Sequence, residues 1–550
     1  MAMYIQVLPA RLVASTLVAV SVSGLIYFSL KLYQARMLII NLRKKGLPVA
    51  PHHSFIFGHL LLLKELNNQL PRGAHYQFMF GDIARKYFLN EGVFYLDLWP
   101  MSGLFLTVVS PTTAISVTQT NPKLSMERPH LLERFFKPIA GGPNLFDLHE
   151  SQWKPWRAVF AKGFSEQHIF SLVPGIVKET KVYMETLRGL ARKGEMFSLD
   201  TTTLRFTMDM IGRTILNSEL GAQRGYNAFA DSMLSQIRWH QPNAEVNPLA
   251  LLNPLPHYIH WRNSRAMNRY VGIELDKRYA EFKVDSSNTR SKAVVDLVLQ
   301  SYMPKEGKTD KLDPDFKAFA IRQIRLFMFA GHDSTSITIC YCVHLLSQNP
   351  NALARIRAEH DEVYGKDLAA VPTLLEEQPQ LLNSLTYTLA VIKEALRLFP
   401  PAGSSRQGKV GESIVDDQGN ICPTDHAMIW IIHVEMHRAP SYWVRPDEFL
   451  PERWLVEPGH ELYPMKGAWR PFEHGPRNCI AQGLVMTELR VVLSCIIREF
   501  DFKNAYDEWD QLHPSKGLKT YRGERAYQVE EGAAHPVEHY PCRIKMADRN

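Results

Sequence analysis

Residues 472–483 read Phe472-Glu-His-Gly475-Pro-Arg477-Asn-Cys479-Ile-Ala-Gln-Gly483. Beyond them apolar residues recur at helical spacing (Leu484, Val485, Leu489, Val492, Leu493, Ile496), which predicts a helix over 484–500 with Cys479 in the loop before it or on its first turn. That position suits a thiolate. Free N–H groups and the positive end of the helix dipole lower a cysteine pKa there, and Arg477 adds a full positive charge two residues upstream. Gly475-Pro476 supplies a tight turn that lets backbone N–H groups face the sulfur. Most cysteines are small buried hydrophobes; what sets Cys479 apart is its company, Phe472, Gly475 and Arg477 at fixed spacing.

At 550 residues, 45% hydrophobic and 22% charged, the chain can build a large core, and length alone allows roughly three or four domains. A formal net charge of +7 is mild and spread along the chain, so nucleic acid is not an expected partner, whereas a membrane surface or an acidic protein is compatible with it. The six cysteines show no CxxC pair and no framework spacing, the pattern of a chain whose bulk lies in reducing cytosol. Residues 12–30 carry no charge; Arg11 precedes them, Lys31, Arg36, Arg43, Lys44 and Lys45 follow, and no acid appears before Glu65. Such a run spans about 28 Å as helix, the hydrocarbon thickness of a bilayer. It exceeds the apolar region of a signal peptide, about 7–15 residues, so an uncleaved anchor is expected, with the heavier basic flank holding the bulk in the cytosol. The Pro-containing stretch 46–51 predicts a stiff hinge, dividing the chain into an anchor with its basic flank, 1–45, and a body, 46–550.

Within the body, two runs at 93–98 and 104–109 predict a β-hairpin. Residues 124–146, with Phe135, Phe136 and Ile139 at the centre, read as a long loop, which in a compact domain is usually functional. Trp153 and Arg157 share a helix face at i, i+4 and are both donors suited to a carboxylate. A Pro-rich break lies near Pro242 and Pro256. Asp313-Pro314 starts one unusually long helix reaching Ser347. In its middle, Phe329-Ala-Gly-His-Asp333-Ser334-Thr335 puts a glycine and polar groups into an apolar helix, at a cost of about 1 kcal/mol for the glycine alone, a defect that points to function. Glu394 and Arg397 fall at i, i+3 on a further helix. Tyr527-Gln-Val and Cys542-Arg-Ile-Lys, separated by Gly-Ala-Ala-His-Pro, predict a C-terminal hairpin.

Five of these features stand in the order of the cytochrome P450 family: Trp153-x-x-x-Arg157, residues 330–335, Glu394-x-x-Arg397, Phe449-Leu-Pro-Glu-Arg453-Trp454 and the Cys479 loop. The chain resembles that family from about residue 50 to 545. The resemblance implies a mainly α fold with small β sheets in one large domain, preceded by one transmembrane helix. It implies haem b, with Cys479 as axial iron ligand in a loop shaped by Phe472, Gly475 and Arg477, and with Trp153, Arg157 and Arg406 toward the propionates. Glu394, Arg397 and Arg453 would lock the core behind the haem, and residues 124–146 would cover the distal pocket. Asp333 and Ser334, with Thr335 adjacent, would relay protons. Two positions depart from the pattern: Ala481 stands where Gly is usual, and Ser334 where Thr is usual, keeping a hydroxyl but fixing it less.

The implied activity is that of a monooxygenase inserting one oxygen atom of O2 into an apolar small molecule. No Gly-rich dinucleotide fingerprint follows a strand, so NADPH would act through a separate flavoprotein reductase. The implied location is the endoplasmic reticulum membrane, single-pass, with the catalytic domain in the cytosol and lipid around the anchor. Residues 124–130 and 329–335 are similar to filamentous-fungal members that act in secondary-metabolite biosynthesis. Two other classes keep a thiolate-bound haem. An isomerase or dehydratase needs no relay of the Asp333–Ser334 kind, and a non-catalytic membrane haem-binding protein differs by lacking reductase-dependent turnover. A cysteine-nucleophile hydrolase is disfavoured because no His accompanies a motif as base.

Overall fold

A computed structural model describes residues 10–240, 252–284, 293–306 and 311–548. The helices that position the site are α1 (Ala10–Lys44), α2 (His130–Ala140), α3 (Glu150–Ala161), α4 (Glu166–Lys193), α5 (Leu199–Leu216), α6 (Ala228–Arg238), α7 (Pro314–Gln348), α8 (Thr386–Leu398) and α9 (Gln482–Ile496). The strands are β1 (Val93–Asp97), β2 (Leu104–Val108), β3 (Phe197–Ser198), β4 (Ser404–Gln407), β5 (Ala427–Ile431), β6 (Phe500–Asn504), β7 (Gln528–Glu531), β8 (Ala533–Pro536) and β9 (Pro541–Met546). The chain is thus mainly helical, with small sheets.

The start signal for α7 works as expected: Asp313 Oδ1 accepts the Phe316 N–H at 2.8 Å, and Pro314, which has no N–H to leave unpaired, opens the helix. From Gln323 to Leu346 most of its side chains are buried. Gly331 has a packing reason as well as a cost. A Cβ there would lie 2.4 Å from Ile211 Cδ1, so the missing side chain lets α5 and α7 cross closely.

The hairpin forms, with Val93 opposite Val108, and extends into a four-stranded sheet in the order β1-β2-β5-β4. β5 runs parallel to β2 and antiparallel to β4, which carries Arg406. Three expectations change. The 124–146 segment is not all loop: α2 runs between Pro129 at its N-cap and Gly141, whose φ of 91° ends it in the left-handed region. The helix after Cys479 stops at Ile496, and Phe500 begins a strand. The C-terminal hairpin is shorter than predicted. Gly532, at φ 91°, turns β7 directly into β8, whereas Glu538, His539 and Tyr540, all left-handed, redirect the chain so that Cys542 pairs with Asn504 of β6 instead. The Pro-rich break near Pro242 and Pro256 lies largely outside the described residues.

α1 is one unbroken helix that does two jobs. Residues such as Leu17, Leu25 and Leu30 are exposed, and the segment is long and apolar enough to cross a membrane. Beyond them Arg36 is fully buried: its guanidinium pairs with Asp97 of β1 and donates to Phe55 O (2.7 Å), Ile56 O (2.8 Å) and Trp99 O (3.1 Å). Ile39 and Leu42 pack with Tyr95 and Leu106. Arg36 is therefore not a charge at the lipid headgroups, and the helix enters the body before residue 45. Removing residues 1–31 should release the protein from membranes and leave thermal unfolding nearly unchanged. Removing 1–45, or substituting Arg36→Ala, should leave buried Asp97 with only His53 and the Trp99 N–H as partners and lower the unfolding midpoint in denaturant, by about 3 kcal/mol at most.

Candidate functional site

The Cys479 loop is closed by its own backbone. Cys479 N–H donates to Phe472 O at 2.8 Å and Asn478 N–H to Gly475 O at 3.1 Å, while the Phe472 ring packs edge-on to Trp469. Gly475 is obligatory: its φ is 80°, and a Cβ would lie 1.9 Å from Thr118 O. Past the sulfur, the N–H groups of Ala481, the N-cap of α9, and of Gln482 face it. The charge nearest the sulfur comes from Arg157 on α3, not from Arg477. Arg477 turns away to donate to Met126 O (2.8 Å) and Leu148 O (2.6 Å) and lies over the Trp153 ring, 4.3 Å from its centroid. Burial pushes the free thiol above its ordinary value, against the pull of the two N–H groups and Arg157. The thiol is nevertheless accessible, because it opens onto a cavity of about 490 Å³ bounded by Arg157, Phe164, Asn478, Gly483 and Met486.

Beside this loop lies an excess of positive charge. Arg406 is fully buried and donates to Ser125 O and Ser404 Oγ; Arg128 donates to Ser405 O and Arg477 O. Each of the three arginines keeps one buried N–H without a partner: Arg128 Nε, Arg406 Nη2 and Arg477 Nη1. Burial holds all three guanidiniums below the usual arginine range, to about 10 for Arg406 and Arg477, and the cations lower Arg128 further between them. Glu473 is in reach, but it is committed to Arg470 (2.7 Å) and His433 (3.4 Å). Three buried cations with free N–H groups need an anion that the described residues do not supply. The two propionates of a haem fit that need, and Cys479 fits as the iron's thiolate. Trp153 and Arg157 belong to the same wall, Arg157 donating to Asn478 Oδ1 at 2.8 Å. Arg128 was not among the expected contacts. Nothing in its charged surroundings, with Glu127 beside it and Lys123, Glu133 and Arg134 nearby, marks it out in the sequence.

α7 presents its three candidates in three directions. Ala330 and Ser334 are the accessible edge of a buried helix, and Ser334 Oγ donates to Ala330 O at 2.7 Å. Thr335 is buried on the α9 side, facing Glu488, whose carboxyl burial raises to about 8, although neither group reaches ordinary hydrogen-bond geometry. Asp333 is buried against the β7–β8 hairpin. Its Oδ1 meets His535 Nε2 at 3.0 Å, and its Oδ2 has no partner and lies beside Gly532 at the β7–β8 turn. His535 Nδ1 in turn meets Asp200 Oδ2 at 3.0 Å. Burial opposes charge on this pair, yet mutual attraction prevails: His535 is held well above its ordinary pKa by Asp200 and Asp333, and Asp200 well below its own by His535 and His539. Neither partner was legible in the sequence. Asp200 reads as an ordinary first-turn acid, and His535 stood in a predicted turn.

On the other face of the core, Glu394 is wholly buried and fully used. Arg397 grips it with Nε (2.9 Å) and Nη2 (2.8 Å), Arg453 Nε adds 3.0 Å, and Trp454 Nε1 and Leu450 N–H donate at 3.0 Å. Arg397 also ties in the carbonyls of His437, Pro446 and Glu448. The three residues thus come together as expected, clasping α8 to residues 437–454.

The cytochrome P450 family model matches residues 48–529. Cytochrome P450 monooxygenase polC of Polytolypa hystricis (strain UAMH7299) is 37% identical over 97% of this chain and 95% of that protein. Cytochrome P450 monooxygenase acrF of Aspergillus aculeatus is 31% identical over 84% of this chain and 95% of its own length. Among solved structures, the heme domain of cytochrome P450DA covers 91% of this chain and 98% of that one with a TM-score of 0.68 at 19% identity, a likeness of fold.

Glu394→Ala should cost about 3–5 kcal/mol by leaving two buried cations unpaired, with the loss seen in denaturant midpoint. The His535–Asp200 pair predicts a stability plateau with two limbs. Asp200, depressed in the fold, stabilises above its unfolded pKa of about 3.8, and that gain is lost as pH falls; His535, raised in the fold, stabilises fully below about 6.5, and that gain is lost as pH climbs through its raised value. Unfolding temperature measured against pH should show both limbs, and Asp200→Asn should flatten them.

Proposed function

The chain belongs to the cytochrome P450 family, and from that premise we propose that it is a membrane-anchored monooxygenase that places one oxygen atom of O2 into an apolar small molecule in fungal secondary-metabolite biosynthesis. The observation that carries the site assignment is the closed Cys479 loop beside three buried, under-partnered guanidiniums. A haem bound there supplies oxygen activation, with electron density donated by a cysteine thiolate favouring O–O cleavage. Cys479 holds the iron through a sulfur oriented by the Ala481 and Gln482 N–H groups. Arg128, Arg406 and Arg477, with Trp153 and Arg157, bind the propionates and fix the group's rotation. Phe472 and Gly475 keep the loop closed on its own backbone, so that the sulfur is held in one place at the cavity wall. Ser334, on the accessible edge of α7, offers the reacting face a hydroxyl oxygen whose own proton rests on Ala330 O, and Asp333 behind it moves protons to that edge.

The electrons come in this reading from an NADPH-dependent flavoprotein reductase, and the exposed half of α1 sets the protein in the endoplasmic reticulum membrane with its body in the cytosol. The fungal setting is supported by the two relatives named as monooxygenases of fungi. An isomerase or dehydratase would have no use for Ser334 and Asp333, and no observation favours it.

With the reductase supplied, the reduced carbonyl form should show the red-shifted Soret band of a thiolate haem; Cys479→His should abolish it, and an unchanged band would refute the assignment. Metabolite profiling of a deletion strain names the substrate. With it, Ser334→Ala should bind substrate nearly as the parent does but divert electrons to hydrogen peroxide, while Ser334→Thr preserves or improves product formed per NADPH.

A further inference from the structure

Asp333 does not end in the core. Asp333 Oδ1 meets His535 Nε2 at 3.0 Å, His535 Nδ1 meets Asp200 Oδ2 at 3.0 Å, and the same oxygen meets His539 Nδ1 at 3.3 Å. The His539 side chain is 45% exposed, with Glu531 Oε2 3.6 Å from its outer nitrogen. The line therefore runs from solvent to the free, buried Oδ2 of Asp333 through atoms that all exchange protons. Four separate segments build it: α7, the first turn of α5, β8 and the left-handed turn at 538–540, where Ser198 Oγ donates to His539 O at 2.8 Å. A structural clasp would need only Asp200 and His535; the half-exposed second histidine is what opens it to water.

We propose that His539, Asp200 and His535 supply solvent protons to Asp333, so that proton delivery in this chain depends on residues outside the long helix. The inference rests on the monooxygenase reading above, whose chemistry consumes protons. In one passage the doubly protonated His535 gives its Nε2 proton to Asp333 Oδ1 and is left neutral with its other N–H on Asp200; the ring turns over to bring its bare nitrogen to Asp200, His539 gives its Nδ1 proton to Asp200, and Asp200 passes that proton to the bare nitrogen. The imidazolium is thereby restored with one ring turn per proton, and His539 is recharged from water. No electrons move. Asp200, His535 and His539 act through Asp333 and are positioning residues. Other titratable groups facing the line are His332 beside Asp333 and Cys340, Tyr183, Tyr341 and Tyr506 around Asp200. Burial holds His332 toward its neutral form and Cys340 and the tyrosines toward their protonated forms, so none competes as the donor at neutral pH.

The test is His539→Asn in the full-length, haem-loaded protein, since Asn keeps an N–H toward Asp200 but cannot ionise. Two readouts are taken. In the diamagnetic ferrous carbonyl form, exchange of the His535 ring N–H with deuterated solvent, followed by nitrogen-labelled histidine NMR, should slow by roughly tenfold or more. With reductase and NADPH, oxygen consumption should fall by roughly 10- to 100-fold at neutral pH with a larger solvent isotope effect, while the carbonyl band and unfolding temperature match the parent. His535→Gln should lower turnover at least as much. Exchange, turnover and isotope effect all equal to the parent's in His539→Asn, with the carbonyl band intact, would overturn the proposal. A parent that lacks the carbonyl band or consumes no NADPH would instead overturn the monooxygenase reading.

Discussion

Three guanidiniums with buried, unpartnered N–H groups, with no carboxylate bound to any of them among the described residues, are the constraint on which the rest of this site depends. Taking a guanidinium from water costs several kcal/mol, and like charges add to that. A protein bears such a cost where another binding partner repays it. The strand end at Arg406, the segment before α2 at Arg128 and the Cys479 loop at Arg477 converge on one place, and Gly475, pressed against Thr118 O, lets the loop come that close. The polypeptide alone is thus electrostatically incomplete there, and an anion bound among the three guanidiniums would complete it.

The opposite face of the core is self-sufficient. Glu394 receives five hydrogen bonds from Arg397, Arg453, Trp454 and Leu450, and Arg397 spends its remaining donors on carbonyls of residues 437–448. A buried charge network of this kind adds little net stability over an apolar core but penalises any other arrangement. It thereby fixes residues 437–454, and through them the approach to the Cys479 loop.

Legibility in the sequence followed locality. The long helix, the first hairpin, the Glu394–Arg397 pair and the Cys479 loop rest on spacing within a few residues, and each stands close to where spacing puts it. What could not be read were partners hundreds of residues apart. Arg157, rather than the adjacent Arg477, acts on the sulfur because Arg477 is turned away, into the carbonyls of Met126 and Leu148. Asp333 finds His535 and Asp200 because three remote segments pack around α7. Gly331 signalled a defect in the helix, and only the neighbouring helix showed that Ile211 fills the gap. Helix α2 was masked by Pro138, which spacing reads as a breaker and which its helix accommodates near its C-terminal end.

The helix that carries the anchor does not hinge where it meets the body. Arg36 locks it to Asp97 and to the backbone at residues 55 and 56, so the tilt of the rod in a bilayer and the tilt of the body above it are one angle. Phe55, Ile56 and Phe57 are exposed beside that lock. The body is therefore carried rigidly on α1, so that whatever plane the exposed half of the rod is set in also fixes which face of the body turns toward that plane.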